Sequence, residues 1–393
     1  MIDKISKECT TCSACINICP RKCIKFQINE EGFNYPIIDK FKCIECNLCE
    51  KVCSVISDEK TISKTRAYAV KNKNEEIRLK STSGGFFSLL ANYVLEKNGY
   101  VAGATYDDNF VVRHIIINNM SELYKLRGAK YSQSELGNTF FNIRKLLDED
   151  KLVLFSGTPC QCIGLKRYLK KDYSNLITTD LICHGVPSPK VWQYYIDYRS
   201  NKENEGIRPI KINMRCKDSG WSHYNYSTEF VYENGKRTLI PNNQDLFMKA
   251  FVGNICLRTS CSNCKAKGIE RITDFTLGDY WGIWNQYPDF DDDKGTSVIF
   301  THTKMGESIL KELGDKTEIL EVDVDDAYRE NGSFMKSSVS HQDRSEFLKK
   351  ITSDNFEILI DRYFSEQTYD KNITLFNRIK NKLKKHVKYR SNL

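Results

Sequence analysis

Apolar and polar positions follow two rhythms along this chain. From Ala67 to Cys183, short continuous apolar runs take turns with stretches of helical spacing. That pattern predicts strands at 67–70, 100–104, 111–117, 152–155 and 176–183, and helices at 83–98, 136–147 and 162–168. In the helix at 83–98, Phe86, Leu89, Leu90, Tyr93 and Val94 share one face. Such β-α alternation packs as a mixed or parallel α/β sheet. Between 207 and 240 the period drops to two, and runs such as Tyr224–Tyr232 read as an antiparallel hairpin. After Ile319 helices dominate. The fold class this implies is α+β, and at 393 residues several domains are expected. They are a small cysteine-rich domain at 1–57, an α/β body in two parts (66–190 and 191–345) and a helical basic tail at 346–393.

Composition sharpens the picture at both ends. Nine of the sixteen cysteines precede residue 54, and a polar stretch at 57–65 reads as a linker to the body. There is no apolar run of about 18 residues, so no transmembrane helix is expected. The first residues also lack the apolar stretch of a signal peptide. The expected location is the cytoplasm, where thiols stay reduced and clustered cysteines bind metal or do chemistry. The net charge of +8 resides in the tail: residues 371–393 carry eight basic side chains and no acid, and the remainder has 51 of each sign. Ile373, Phe376, Ile379, Leu383 and Val387 fall on one helical face, with lysines mainly off it. This basic amphipathic helix either docks on the body or meets an anionic membrane surface or an acidic partner. Charge confined to one end argues against nucleic-acid binding.

The N-terminal cysteines carry the strongest chemistry. Cys9, Cys12, Cys15 and Cys19 follow the bacterial ferredoxin spacing C-x2-C-x2-C-x3-C-P, and Cys43, Cys46, Cys49 and Cys53 repeat it with Ser54 in place of proline. Three closely spaced thiolates wrap one face of a cubane and the fourth ligand comes from the other run. Cys9, Cys12, Cys15 and Cys53 are thus expected to hold one 4Fe-4S cluster, and Cys43, Cys46, Cys49 and Cys19 a second. The alternative, a pair of zinc sites, normally uses two C-x2-C pairs per ion instead of two four-cysteine runs. Cys23 lies outside the pattern and reads as a small buried packing residue.

Downstream, five stretches in order resemble the coenzyme F-420 hydrogenase/dehydrogenase beta-subunit family, which includes 7-hydroxymethyl chlorophyll a reductase. They are Ser81-Thr-Ser-Gly-Gly85, Arg127-Gly-Ala-Lys-Tyr131, Gly157-Thr-Pro-Cys-Gln161, Asp180-Leu-Ile-Cys-His-Gly-Val-Pro187, and Cys256-Leu-Arg-Thr-Ser-Cys-Ser-Asn-Cys264 with Leu277-Gly-Asp-Tyr-Trp-Gly282. The resemblance implies an FAD-binding α/β body beside iron–sulfur clusters. Ser81, Ser83, Gly84 and Gly85 precede a helix, so hydroxyls and backbone amides at its positive end suit a pyrophosphate; the plain alternative is a helix cap. Lys130 and Tyr131 would add a charge and a stacking ring, and Gly157 and Thr158 lie at a strand end where open sheets place ligands. Cys256, Cys261 and Cys264 have plant-type ferredoxin spacing, with Cys183 or Cys160 as a fourth ligand to a third cluster. Three cysteines plus His184 would instead make a zinc site. His184 and Asp279 are the candidate catalytic residues, His184 as proton donor.

Two functions follow. The first is an oxidoreductase taking electrons from a donor such as ferredoxin through its clusters to FAD and on to a small organic substrate, a sugar-linked one being an option. The second is an electron-transfer subunit feeding a partner reductase, with no substrate of its own. The fused module suggests that electrons arrive through clusters and not from a deazaflavin hydride donor.

Overall fold

The computed structural model describes residues 2–56, 64–222 and 225–364. The basic segment 371–393, with the rest of the expected tail beyond 364, and most of the expected linker lie outside them. Among the described residues no helix is long and apolar enough to cross a membrane.

The N-terminal module pairs β1 (Ile24–Ile28) with β2 (Asn34–Ile38) in an antiparallel hairpin. Two short helices, Ala14–Ile18 and Leu48–Lys51, each sit just inside a cysteine run. Ser13 and Asn47, preceding them, both take left-handed backbone conformations (φ 64° and 56°), a repeat of local geometry that matches the repeat in sequence.

The body is organised by one eight-stranded sheet. Its strands are β3 (Arg66–Asn72), β4 (Tyr100–Tyr106), β5 (Val112–Ile117), β6 (Val153–Ser156), β7 (Leu176–Leu181), and then, beyond a separate three-stranded sheet of β8 (Lys211–Cys216), β9 (Ser227–Val231) and β10 (Arg237–Pro241), β11 (Phe275–Asp279), β12 (Ser297–Thr301) and β13 (Thr317–Val322). The order is β13-β3-β12-β11-β7-β6-β4-β5. β4, β6, β7 and β11 pair in parallel, and β3 runs the same way across the antiparallel β12. The sheet therefore draws strands from both stretches expected to divide near residue 190. β4 and β6 are mainly apolar on both faces, as covering helices require, while β7 and β11 bury Thr178, Thr179, Asp180 and Thr276 among them. The helix Phe86–Glu96 packs on one face through Phe86, Leu90 and Val94, and Pro159–Leu169 packs on the other through Cys162 and Leu165.

Because five strands point one way, their carboxyl ends form a single edge: Asn72, Tyr106, Ser156, Leu181 and Asp279. Ligands of open α/β sheets gather at such edges. Over this fold lies an aromatic-rich core built on the helix Pro189–Asn204, where Trp192, Tyr195 and Phe247 interlock.

The module is not loosely tethered. Cys12, Ala14 and Val52 share a core with Phe140, Phe155 and Leu165 of the body. Arg258, 2% exposed, donates from Nε to the Cys9 carbonyl, from Nη2 to the Asn34 carbonyl and from Nη1 to Gln133 Oε1, at 2.6, 2.9 and 2.9 Å. Its guanidinium stacks 4.4 Å from the Tyr35 ring centre. Arg344 adds a bidentate pair with Glu31 at 2.9 and 2.8 Å. Arg258→Ala removes three charge-assisted hydrogen bonds across this junction, worth roughly 1.5–3 kcal/mol each at most, while Ser260 and Thr11 still donate to the Cys9 and Asn34 carbonyls. The variant is expected to lose about 3 kcal/mol of stability and to expose the module to protease, read by thermal unfolding and limited proteolysis.

Candidate metal and cofactor centres

The module's cysteines divide by cavity as the crossed-ligand rule requires. Cys9, Cys12, Cys15 and Cys53 line one, and Cys19, Cys43, Cys46 and Cys49 line another. The left-handed residues before each helix turn the chain back so that three sulfurs of one run face the fourth from the other. Cys23 is buried, as expected of a packing residue, yet it borders the second cavity with its sulfur 3.4 Å from that of Cys19.

A third cavity, with about 480 Å³ of space partly open to solvent, is lined by Cys160, Cys183, Cys261 and Cys264. Cys160 opens the helix Pro159–Leu169 beyond β6, and Cys183 follows β7, so two adjacent parallel strands deliver two of the sulfurs. Cys261 and Cys264 come from the short turn Thr259–Asn263 and its end. Burial pushes the Cys160 thiol well up and that of Cys183 to about 12, and each is raised further by repulsion from Cys261 and Cys264. Among the described residues no three Cys, His, Asp or Glu side chains converge on a single-ion site.

This arrangement corrects the spacing-based ligand set. Cys256 is fully buried in the aromatic core, outside the cavity, and no other cysteine perturbs its thiol. Both proposed fourth ligands, Cys160 and Cys183, are present instead. His184 lines the cavity too, but Nε2 donates to Asn254 Oδ1 at 2.7 Å and Nδ1 lies 3.2 Å from Ser333 Oγ. Both ring nitrogens are thus engaged, burial pushes its pKa down, and His184 stands in the wall of the cysteine site. Gly157 and Thr158 also belong here: Thr158 forms a capping box with Gln161 for the helix that carries Cys160, and its hydroxyl lies 3.2 Å from the Cys160 sulfur. Arg258, Lys267 and Arg271 line the cavity with no carboxylate among them, a setting suited to the negative charge of four thiolates.

The Cys9 cavity adjoins the third, and Cys15 and Cys53 pack with Cys19, Cys43 and Cys49 of the other module cavity. Thr10 lines both the third cavity and that of Cys9, and Arg258 and Ser260 both donate to the Cys9 carbonyl.

Along the carboxyl edge, beyond the third cavity, the Ser81–Gly85 loop is stitched to β12. Ser83 Oγ donates to the Thr296 carbonyl at 2.8 Å and the Gly84 amide to Ser297 Oγ at 3.0 Å, while Ser81 Oγ turns back to the Ile77 carbonyl. A Cβ on Gly84 would lie 2.2 Å from the Val70 carbonyl oxygen, so this glycine is required by the sheet and not by a phosphate. What the loop leaves open is the uncapped first turn of the helix Phe86–Glu96, with Gly85 at φ 85° in front of it. Nearby, Asn72 Nδ2 is buried without a partner, 3.5 Å from where a Cβ on Gly85 would stand, and Arg127 reaches Ser88 Oγ at 3.1 Å.

Lys217 joins this loop to the next polar group. It donates to the carbonyls of Arg78, Ser83 and Lys294, and burial pushes its ammonium down to about 7 despite the attraction of Asp279. Asp279, at the end of β11, pairs with Arg215 at 3.1 Å; the two side chains are 13% and 3% exposed. The guanidinium lies 3.7 Å from the Tyr226 ring centre and near Tyr131. Among the described residues Arg215 Nε and Nη2 and Asp279 Oδ1 are buried with no hydrogen-bond partner of ordinary geometry, and the Tyr131 hydroxyl interacts with the guanidinium. Tyr131 stacks on Phe251 at 5.0 Å. Lys130 points elsewhere: it donates to the carbonyls of Lys125 and Arg127, capping a short helix, and burial pushes it down to about 7.

Two family models match the chain. One, a 4Fe-4S dicluster domain, covers residues 8–56. The other covers residues 150–327 and describes the C terminus of the beta subunit in coenzyme F420 hydrogenase/dehydrogenase. Over that second stretch the chain resembles the coenzyme F420 hydrogenase/dehydrogenase beta-subunit family. No curated protein matches it. Among solved structures, a chain of a xenon-derivatised F420-reducing NiFe hydrogenase complex from Methanosarcina barkeri is similar at 16% identity and a TM-score of 0.45, over 80% of this chain and 94% of that one.

The two matches together make this an iron–sulfur protein of oxidoreductase type, with the dicluster module as its 4Fe-4S carrier. The beta-subunit match takes in β6, the third cysteine set, Arg215 and Asp279 together. Sequence reading missed Arg215, Lys217, Arg258 and Asn72. The one signal for Arg215 was a charge within the Ile212 and Met214 run of a strand that has to bury its faces.

Proposed function

We propose that this protein is an iron–sulfur flavoprotein oxidoreductase that carries electrons along three clusters to an FAD-binding edge of its sheet and reduces a small organic substrate there. The observation that carries this reading is a set of three four-cysteine cavities, one of them on the same strand edge as a buried arginine with two nitrogens that lack acceptors among the described residues. Buried guanidinium N–H groups without acceptors are costly even when the charge is paired, and a ligand acceptor relieves them.

Cys160, Cys183, Cys261 and Cys264 would hold the third cluster, with Arg258, Lys267 and Arg271 offsetting its charge. For FAD, the first-turn amides of Phe86–Glu96 with Asn72 and Arg127 would take the pyrophosphate. Arg215, held by Asp279, would meet an electron-rich ring edge, and Tyr131 would supply a flat neighbour. When bound, FAD joins one-electron delivery to two-electron reduction, which clusters alone do not do.

Anaerobic reconstitution with iron, sulfide and FAD tests the reading. About twelve iron atoms and one non-covalent FAD per chain are expected, with dithionite bleaching both chromophores. Full iron content with no flavin uptake at saturating FAD would leave only a protein that passes electrons to a partner enzyme. Zinc in place of iron in anaerobically prepared protein would remove both readings.

A further inference from the structure

We infer that the rim of the outer module cavity is a docking face for a small acidic electron-carrier protein. Of the sixteen cysteines, Cys46 alone is exposed, so the set Cys19, Cys43, Cys46 and Cys49 is the one an outside carrier reaches most closely. Beside it the chain presents apolar side chains to water. Phe41 is fully exposed (104%), Ile44 is 59% exposed at the cavity mouth, and Ile37 is 45% exposed. The Phe41 backbone is held by its own amide donating to Asp39 Oδ1 at 3.1 Å, so the ring is displayed on a fixed turn. An apolar centre with a charged rim is the anatomy of a protein interface, and electron-transfer encounters use small ones.

The charge of the rim selects the occupant. Segments 19–25 and 39–51 carry six basic side chains, all exposed, against three acidic ones, of which Asp39 is paired with Lys42 at 3.4 Å. The chain outside its tail is neutral, so this local excess stands out against it. Such a field draws in an acidic carrier, speeds encounter and weakens with salt. The proposal rests on the reading that electrons enter through the clusters, and the test separates the two.

The reconstituted full chain is compared with Phe41→Ala and with the double variant Lys22→Glu/Lys40→Glu. An acidic 2Fe-2S ferredoxin-type protein, a basic carrier and dithionite serve as probes. Association of the acidic carrier is expected to fall about tenfold or more in the double variant, with a flatter salt dependence, and to fall in Phe41→Ala without any change in salt slope. Iron content and dithionite reduction stay at the unmodified level in both. Unchanged affinity in both variants, equal binding of the basic carrier, or variants that lose binding to anionic phospholipid vesicles but not to the carrier would each overturn the docking face. If the carrier binds as expected but no electrons reach the body even from dithionite, the electron route fails and the docking face stands.

Discussion

Replacing Cys261 with serine is expected to lower iron from about twelve atoms per chain to about eight, while Cys256→Ser keeps all twelve. Spacing makes the two residues look equivalent, and their surroundings make them opposite. Cys261 faces Cys160, Cys183 and Cys264 across a cavity, while Cys256 is packed in the aromatic-rich core outside it. Serine at 256 buries a hydroxyl and costs stability of about 1–3 kcal/mol, but removes no ligand. The check is iron and sulfide analysis with electron paramagnetic resonance of the reduced proteins. Iron loss in Cys256→Ser with retention in Cys261→Ser would overturn the ligand set derived from the fold.

The second large effect belongs to Arg215. Arg215→Met leaves the Asp279 carboxylate buried without its cation, and breaking a buried pair from one side costs about 3–5 kcal/mol. The variant is expected to unfold at markedly lower denaturant and to bind no flavin. A double variant, Arg215→Met with Asp279→Asn, removes the uncompensated charge and should recover most of the stability but none of the flavin. Recovery of both would make Arg215 a structural residue, and flavin retained by the destabilised single variant would place the cofactor elsewhere.

Local chemistry was legible in the sequence and convergence was not. The crossed pairing of Cys19 and Cys53 could be read because cluster geometry is written into the short spacings within each run. The strands and helices from Ala67 to Cys183 were equally readable, since buried parallel strands show as apolar runs; the helix at Pro159–Leu169 starts earlier than its periodicity indicated because proline and a capping box set its first turn. Cys160 and Cys183 are 23 residues apart in sequence, and only the pairing of β6 with β7 brings both to one cavity. Gly84 looked like a phosphate-loop glycine, but its neighbour across space, the Val70 carbonyl, comes from a strand whose partner is more than 200 residues away in sequence. Arg215 was invisible for the same reason: its partner Asp279 ends a strand in a different sheet.

The helix Pro159–Leu169 bears on how fast the protein can work. Its first turn carries Cys160, and one turn later Gly164 abuts the module so closely that a Cβ there would lie 2.8 Å from Cys12 Cβ and 2.9 Å from its sulfur. About 6 Å of rigid rod thus separates the point that holds one cluster ligand from the point that presses on another. A carrier domain on a flexible tether must swing to deliver each electron, and thick solvent slows it. Here the gap between the inner module centre and the third centre is set by a single rod, so solvent viscosity should leave that hop untouched and slow only the arrival of molecules from outside.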